Sequence, residues 1–414
     1  TGSDRHARAP MSGPFSGLRV LDYCWVGAGA LVTKALAHHG ADVIKIESRT
    51  RPDNLRLAPP YRRGSEGLEG SGYFASRNSS KRSFALNMGH PDAPGIARRL
   101  AAESSIVTSN FRPGVMERWG LGYSELAELN PSIIYLAMPM QGSDGPHRSY
   151  VGFGSTIAAL SGLVASAGLP DRVPIGTGTH YPDHVPNPGH ALVALFAAIF
   201  DRGRTGLGRE IEVSQFESTV NVLGPQIMAY QATGATEPRR GNRMPNVSPH
   251  AVLPTAGDDT WIAVVCRNDA EFGALCEVLG VSALSADARF ATVTGRKQNE
   301  DELERLLAGS TASRDVDELA ADLQRRGVPA ARVRTAGDLL DDPHLVERGF
   351  WRRLEHPVMG SIVVNRVPFA AGEDEVAPRS AAPLLGEHTR EIAQTVLGMS
   401  SDEYEDHVAR EVFV

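Results

Sequence analysis

Residues 18–47 read LRVLDYCWVGAGALVTKALAHHGADVIKIE. Leu18 to Tyr23 is a short apolar run and predicts a strand. Val26 to Ala30 holds Gly27 and Gly29 and predicts a tight turn. Leu31 to His39 predicts a helix closed by Gly40, and Asp42 to Glu47 a second strand. Strand, glycine turn, helix and strand form a βαβ unit, whose crossover makes the two strands parallel. The alternation continues outward. Strands are predicted at Ser83–Asn87, Ser105–Ser109 and Ile133–Met138, and helices at Pro94–Glu103 and Leu121–Leu129. The first half of the chain is therefore α/β and is expected to be doubly wound.

Residues 177–218, TGTHYPDHVPNPGHALVALFAAIFDRGRTGLGREIEVSQFES, extend the pattern. Asp183 is placed in a loop, with Asn187 as N-cap and Pro188 as the first residue of a helix. From His190 to Phe200 the apolar residues are nearly continuous, which predicts a helix buried on most sides. Gly203 to Gly208 breaks it, and Ile211 and Val213 alternate as in a short strand. A carboxylate ahead of a helix N-terminus lies in a field that favours its ionised form. Asp183 is thus a candidate nucleophile.

The 414 residues exceed one simple domain. Apolar residues make up 42%, within the globular range, and a net charge of −7 argues against nucleic-acid or membrane-surface binding. Lysine occurs only at Lys34, Lys45, Lys81 and Lys297 among 42 basic residues, a bias read as genomic. Cys24, Cys266 and Cys276 have neither disulfide-framework nor zinc spacing. Residues 1–10 lack the apolar segment of a signal peptide, and Met11 is the expected start. The longest apolar run, Ala191–Phe200, is too short to span a bilayer, so a cytoplasmic protein is expected.

Pro59 to Gly72 is rich in loop formers and reads as a surface loop, with a lid as the alternative. Tyr230 to Pro254 reads as a linker. Trp261–Val265, Asp269–Leu279, Asp301–Leu307 and Val316–Arg326 predict a strand and three helices, a smaller α+β module. Asp341-Asp342-Pro343 marks another boundary, and Gly360 to Phe369 alternates again.

Three constellations bear on chemistry. Gly27-Ala-Gly29 with Glu47 at the end of the next strand approaches a dinucleotide fingerprint, but Val32 stands where its third glycine belongs. The turn thus serves an NAD-dependent oxidoreductase, another phosphate-bearing nucleotide, or only a βαβ connection. His180, His184 and His190 surround Asp183, but Pro182 and Pro186 break the helical spacing that would aim them at one metal, so no metal site is expected. Arg77–Ser83 and Asn110–Arg118 are basic segments bordering strands, suited to phosphates and an adenine ring or simply to solvent.

Taken in order, LRVLDY, VGAGAL and GADVIKIE, then SRNSSKRSFALN, NFRPGVMERWGLGYSEL with NPSIIY, and PD…NPGHA…RGRTGLGREIEVS resemble the class III CoA-transferase family. Formyl-CoA transferase and carnitine CoA-transferase are familiar members. The resemblance runs from about Leu18 to Val213 and continues more loosely through DDPHLVERGFW and APLLGEHT. It implies a Rossmann-like large domain built from both chain ends, a smaller inserted domain between long linkers, and two protomers interlocked as a dimer. The corresponding divisions are residues 11–213, a linker at 214–240, a small domain at 241–326, a linker at 327–345, and 346–414 completing the large domain.

The same resemblance makes Asp183 the nucleophile, forming aspartyl anhydride and aspartyl-CoA thioester intermediates. CoA contacts fall on Val26, Gly27, Ala28, Leu86, Asn87, Asn110, Phe111, Arg112 and Arg118. The substrates implied are an acyl-CoA and a free carboxylic acid, with no permanently bound cofactor. Two departures stand out. Gly154 occupies a position that is often acidic, and Arg239–Val252 lacks the glycine run of formyl-CoA transferase, which argues against oxalate and formate. A sister group, the α-methylacyl-CoA racemases, uses a His and an Asp. The nearest histidine here, His147, lacks that group's signature, so transfer is preferred.

Overall fold

A computed structural model describes residues 13–368 and 376–414. Its main sheet uses β1 (Arg19–Tyr23), β2 (Asp42–Glu47), β3 (Arg82–Ala85), β4 (Ile106–Ser109), β5 (Ile134–Ala137) and β6 (Arg209–Glu212). All neighbours are parallel, in the order β3-β2-β1-β4-β5-β6. The order reverses between β1 and β4, where loops leaving the carboxyl ends diverge and open a crevice. The register sets Val20 opposite both Val43 and Ile106.

Alternate residues of these strands feed two cores. Leu21, Tyr23, Ile44, Ile46 and Phe84 pack with one helical layer, including α3 (Ala93–Ala102) and residues 389–395. Val20, Val43, Ile106 and Leu136 pack on the other face against α1 (Ala28–His38) and α8 (Pro186–Thr205). Between them in sequence lie α2 (Gly72–Asn78), α4 (Val115–Arg118), α5 (Tyr123–Leu129), α6 (Gly154–Leu160) and α7 (Tyr181–His184). The outer strand β6 exposes Arg209, Glu210 and Glu212, which discourages pairing with another edge.

The chain divides into two compact units. One comprises Thr1–Ala165, Gly176–Thr236 and Val346–Val414; the other comprises Ser166–Ile175 and Glu237–Leu345. The second has an antiparallel sheet of β7 (His250–Pro254), β8 (Trp261–Val265) and β9 (Ala330–Arg332), in that order. Its core joins Ile262 and Val264 to Phe272, Leu275, Leu303 and Leu323. In the first unit, Trp351–His356 pairs antiparallel with Gly360–Asn365. Phe369, the expected end of that alternation, lies outside the described residues, as do residues 1–10 and Met11.

Several expectations need correction. Residues 214–240, expected as a linker, contain α9 (Gln215–Val220) and α10 (Gly224–Thr233). Residues 327–345 supply β9, and Ser166–Ile175 belongs with the second unit. Helix α8 begins at Pro186, so Asn187 lies inside it rather than at its cap. The Asn187 side chain instead donates to Gln215 Oε1 at 3.3 Å and accepts from Thr219. Nor is α8 buried on most sides. Ala191, Leu195 and Ala198 are buried, whereas Val193 and Phe200 are exposed.

Candidate active site

A cavity of about 980 Å³ opens at the carboxyl ends of the central strands. Val26, Gly27, Ala28, Leu86, Asn87, Asn110, Phe111, Arg112, Arg118 and Asp183 all line it. Met140, Tyr150 and Gly154 line it too, as do Trp25, Thr50, Arg51, Phe153 and Gln215, which were not singled out from sequence. Arg51 carried no motif; only its place just beyond a strand's carboxyl end marked it.

Asp183 is not in a loop but on α7, one helical turn with Pro182 near its start, where a missing N–H costs nothing. It is only 6% exposed. Its carboxylate lies between two glycines. A Cβ on Gly154 would stand 2.4 Å from Asp183 Oδ2, and one on Gly27 would stand 2.8 Å from it. Neither position admits a side chain without moving the carboxylate. The backbone N–H of Gly154 also donates to Asp183. Burial raises the Asp183 pKa to about 6, against the pull of His180, the Gly154 N–H and Arg77.

The neighbouring histidines do not converge on a metal. Arg77 Nη2 donates to His184 Nε2 at 2.9 Å, and His184 Nδ1 meets Thr179 Oγ1 at 3.0 Å. Since Arg77 can only donate, His184 is the neutral tautomer with its proton on Nδ1. Burial and then Arg77 lower its pKa to about 4. Among the described residues no group of three His, Cys, Asp or Glu side chains is arranged to hold a metal ion.

The turn after β1 is held under constraint. Val26 has φ 63°, an unfavourable region for a β-branched residue. Its N–H donates to Asp53 Oδ1 at 3.0 Å, and Asp53 pairs with buried Lys45 at 2.8 Å. Lys45 also donates to the Cys24 carbonyl at 2.9 Å. The Asn110 amide brackets Trp25, accepting from its N–H at 2.9 Å and donating to its carbonyl at 2.6 Å. Asn110 therefore positions the turn with its polar atoms. The Val26 N–H, being bonded to Asp53, is not an open donor. The first bond within α1 runs from Leu31 N–H to Gly27 O, so the earlier amides are not used inside the helix.

Phe111 meets Trp25 edge-on at 5.1 Å and Trp119 at 5.9 Å, forming one aromatic wall. Arg51, Arg112 and Arg118 are exposed beside it, and among the described residues none has a carboxylate partner. Glu47, the acceptor an NAD ribose would need, is 1% exposed and holds Arg56 through both oxygens at 2.7 and 2.8 Å. That pairing leaves the dinucleotide reading without its acidic partner.

The family model described as CoA-transferase family III matches residues 15–389. The chain belongs to this family. The CoA-transferase is similar to succinyl-CoA–D-citramalate CoA-transferase of Chloroflexus aurantiacus, at 33% identity over 94% of this chain and 96% of that one. It is similar also to succinate–glutarate CoA-transferase of Agrobacterium fabrum, at 30% identity over 92% and 94% of the two chains. The crystal structure of a CAIB/BAIF family protein from Brucella suis matches with a TM-score of 0.85, 32% identity, and coverage of 93% and 99%. The α/β fold with its parallel sheet is thus that of the family. Among the described residues, no helix of this CoA-transferase is long and apolar enough to cross a membrane.

Proposed function

We propose that the enzyme moves CoA from an acyl-CoA to a free carboxylic acid through Asp183. The observation that carries this reading is the buried Asp183 carboxylate, gripped between Gly27 and Gly154 in the cavity wall. An Asp183 oxygen attacks the thioester carbonyl; the C–S bond breaks, leaving a mixed anhydride and CoA thiolate. The thiolate attacks the aspartyl carbonyl and expels the donor acid as carboxylate. The acceptor carboxylate then attacks the aspartyl thioester, releasing thiolate, which attacks the acceptor's acyl carbon and frees Asp183. Covalent catalysis divides one difficult exchange into four smaller steps.

Each tetrahedral oxyanion needs a donor, and the amides opening α1 at Ala28 and Gly29 are suited to it. The adenine ring is assigned to the Phe111 wall, with its phosphates on Arg51, Arg112 and Arg118. Leu86 and Asn87 complete that side of the cavity. The working protein is assigned as an interlocked homodimer. A racemase needs a second proton-transfer group across the substrate from Asp183. The His147 ring lies tilted 4.3 Å from that of Tyr150 and is not among the cavity-lining residues, which favours transfer.

The test is to incubate the enzyme with an acyl-CoA and no acceptor, then weigh and map it. A CoA thioester on Asp183, absent from Asp183→Ala along with turnover, is the expected result. An active Asp183→Ala enzyme would sink the mechanism.

A further inference from the structure

The cavity wall changes character along the sheet. Of its cationic side chains, Arg51 and Arg112 lie on the loops after β2 and β4, and Arg118 on α4. Beyond β5 the lining becomes Met140, Tyr150, Val151, Phe153 and Ile157, with Gln215 from α9. Gln215 offers little: its Nε2 donates to the Met138 carbonyl at 2.7 Å and its Oε1 accepts from Asn187 at 3.3 Å. Asp183 belongs to this second region through its contact with Gly154. The nearby cation Arg77 does not line the cavity; it faces His184 and packs 5.4 Å from the Tyr73 ring. Tyr150, Val151 and Phe153 are 46%, 67% and 59% exposed, so an apolar chain laid against them removes shared apolar surface from water.

Taking the transfer reading above as its basis, we propose that the acyl groups exchanged here are apolar monocarboxylic ones, bound against Tyr150, Val151 and Phe153. A second carboxylate on the acyl chain would leave water for a wall that, among the described residues, holds no cationic side chain, beside the negative charge of Asp183. This selects against succinyl-type substrates by desolvation rather than by size.

The enzyme is assayed by chromatography of the CoA esters, using hexanoyl-CoA with a branched short-chain acid as acceptor, and separately succinyl-CoA with glutarate. The expected kcat/KM for hexanoyl-CoA exceeds that for succinyl-CoA by at least about tenfold. Equal values, or a preference for succinyl-CoA, overturn the inference and leave the transfer reading intact. A second arm uses Val151→Arg, a change at an exposed site that supplies the missing cation. It should move the ratio toward succinyl-CoA by about fivefold or more; an unchanged ratio overturns the placement of the acyl group. Failure of both donor classes to leave CoA on Asp183 overturns the transfer reading, and this inference with it.

Discussion

Asp183 is stabilised in its neutral form, whereas the proposed mechanism uses its charged one. Its pKa of about 6 lies above the ordinary carboxylate value because burial strips its water. A nucleophile must be ionised, so kcat/KM should rise as pH passes through about 6 and then level. A profile flat from pH 5 to 8 would contradict this. The same shift governs stability. A raised carboxylate pKa stabilises the fold fully below the unfolded value near 4, and that stability is lost as pH climbs through about 6. The ionised group therefore costs on the order of 2–3 kcal/mol at neutral pH. Asp183→Asn should melt several degrees higher than the parent at pH 7.5 and almost level with it at pH 4. Equal melting temperatures at both would contradict the burial argument. Gly154 is the companion residue. A methyl group there meets Asp183 Oδ2 at 2.4 Å, so Gly154→Ala must displace one of them. A misplaced nucleophile predicts a fall in kcat of about a hundredfold, with CoA affinity by calorimetry little changed.

At the scale of elements, the proposed CoA site divides into side chains assigned to bind and side chains that hold the turn. Arg118, on α4, lines the cavity with no ion-pair partner among the described residues. Arg118→Ala should weaken CoA binding by about tenfold. Asn110→Ala should instead loosen the Trp25 turn, lowering kcat as well as affinity, because both amide atoms already bond Trp25. An unaltered kcat would return Asn110 to a simple contact. The βαβ alternation was legible because the strands of a parallel sheet are buried on both faces and bracketed by glycines and caps. The sidedness of α8 was not, because Val193 and Phe200 look the same in sequence as Ala191 and Leu195, and only packing separates them. The N-cap reading of Asn187 failed for a related reason: its bonds to Gln215 and Thr219 come from a distant segment. Gly154 stood out only as a departure from the family's pattern. Its contact with Asp183 joins α6 to α7 and has no sequence-local signal.

At the scale of the molecule, the first unit leaves apolar surface uncovered on two helices. Val193 and Phe200 on α8 are 72% and 70% exposed, and Met228 and Tyr230 on α10 are 63% and 55% exposed. Surface of this kind is what an obligate partner covers, so light scattering should give a dimer mass that persists on dilution to assay concentration. A stable, active monomer would count against interlocking. The distribution of its few lysines has another consequence. Lys45 and Lys81 are fully buried, and Lys34, whose burial lowers its pKa to about 7, is 4% exposed. Lys297 is held by Glu300 and the Met244 carbonyl, and Cys24, Cys266 and Cys276 are buried. An activated thioester can acylate any amine or thiol it meets, yet this fold keeps almost all of its own out of reach. The folded enzyme should therefore tolerate long exposure to its reagent with little side-reaction. Lysine acylation, when it appears, becomes a chemical clock for how often the chain opens.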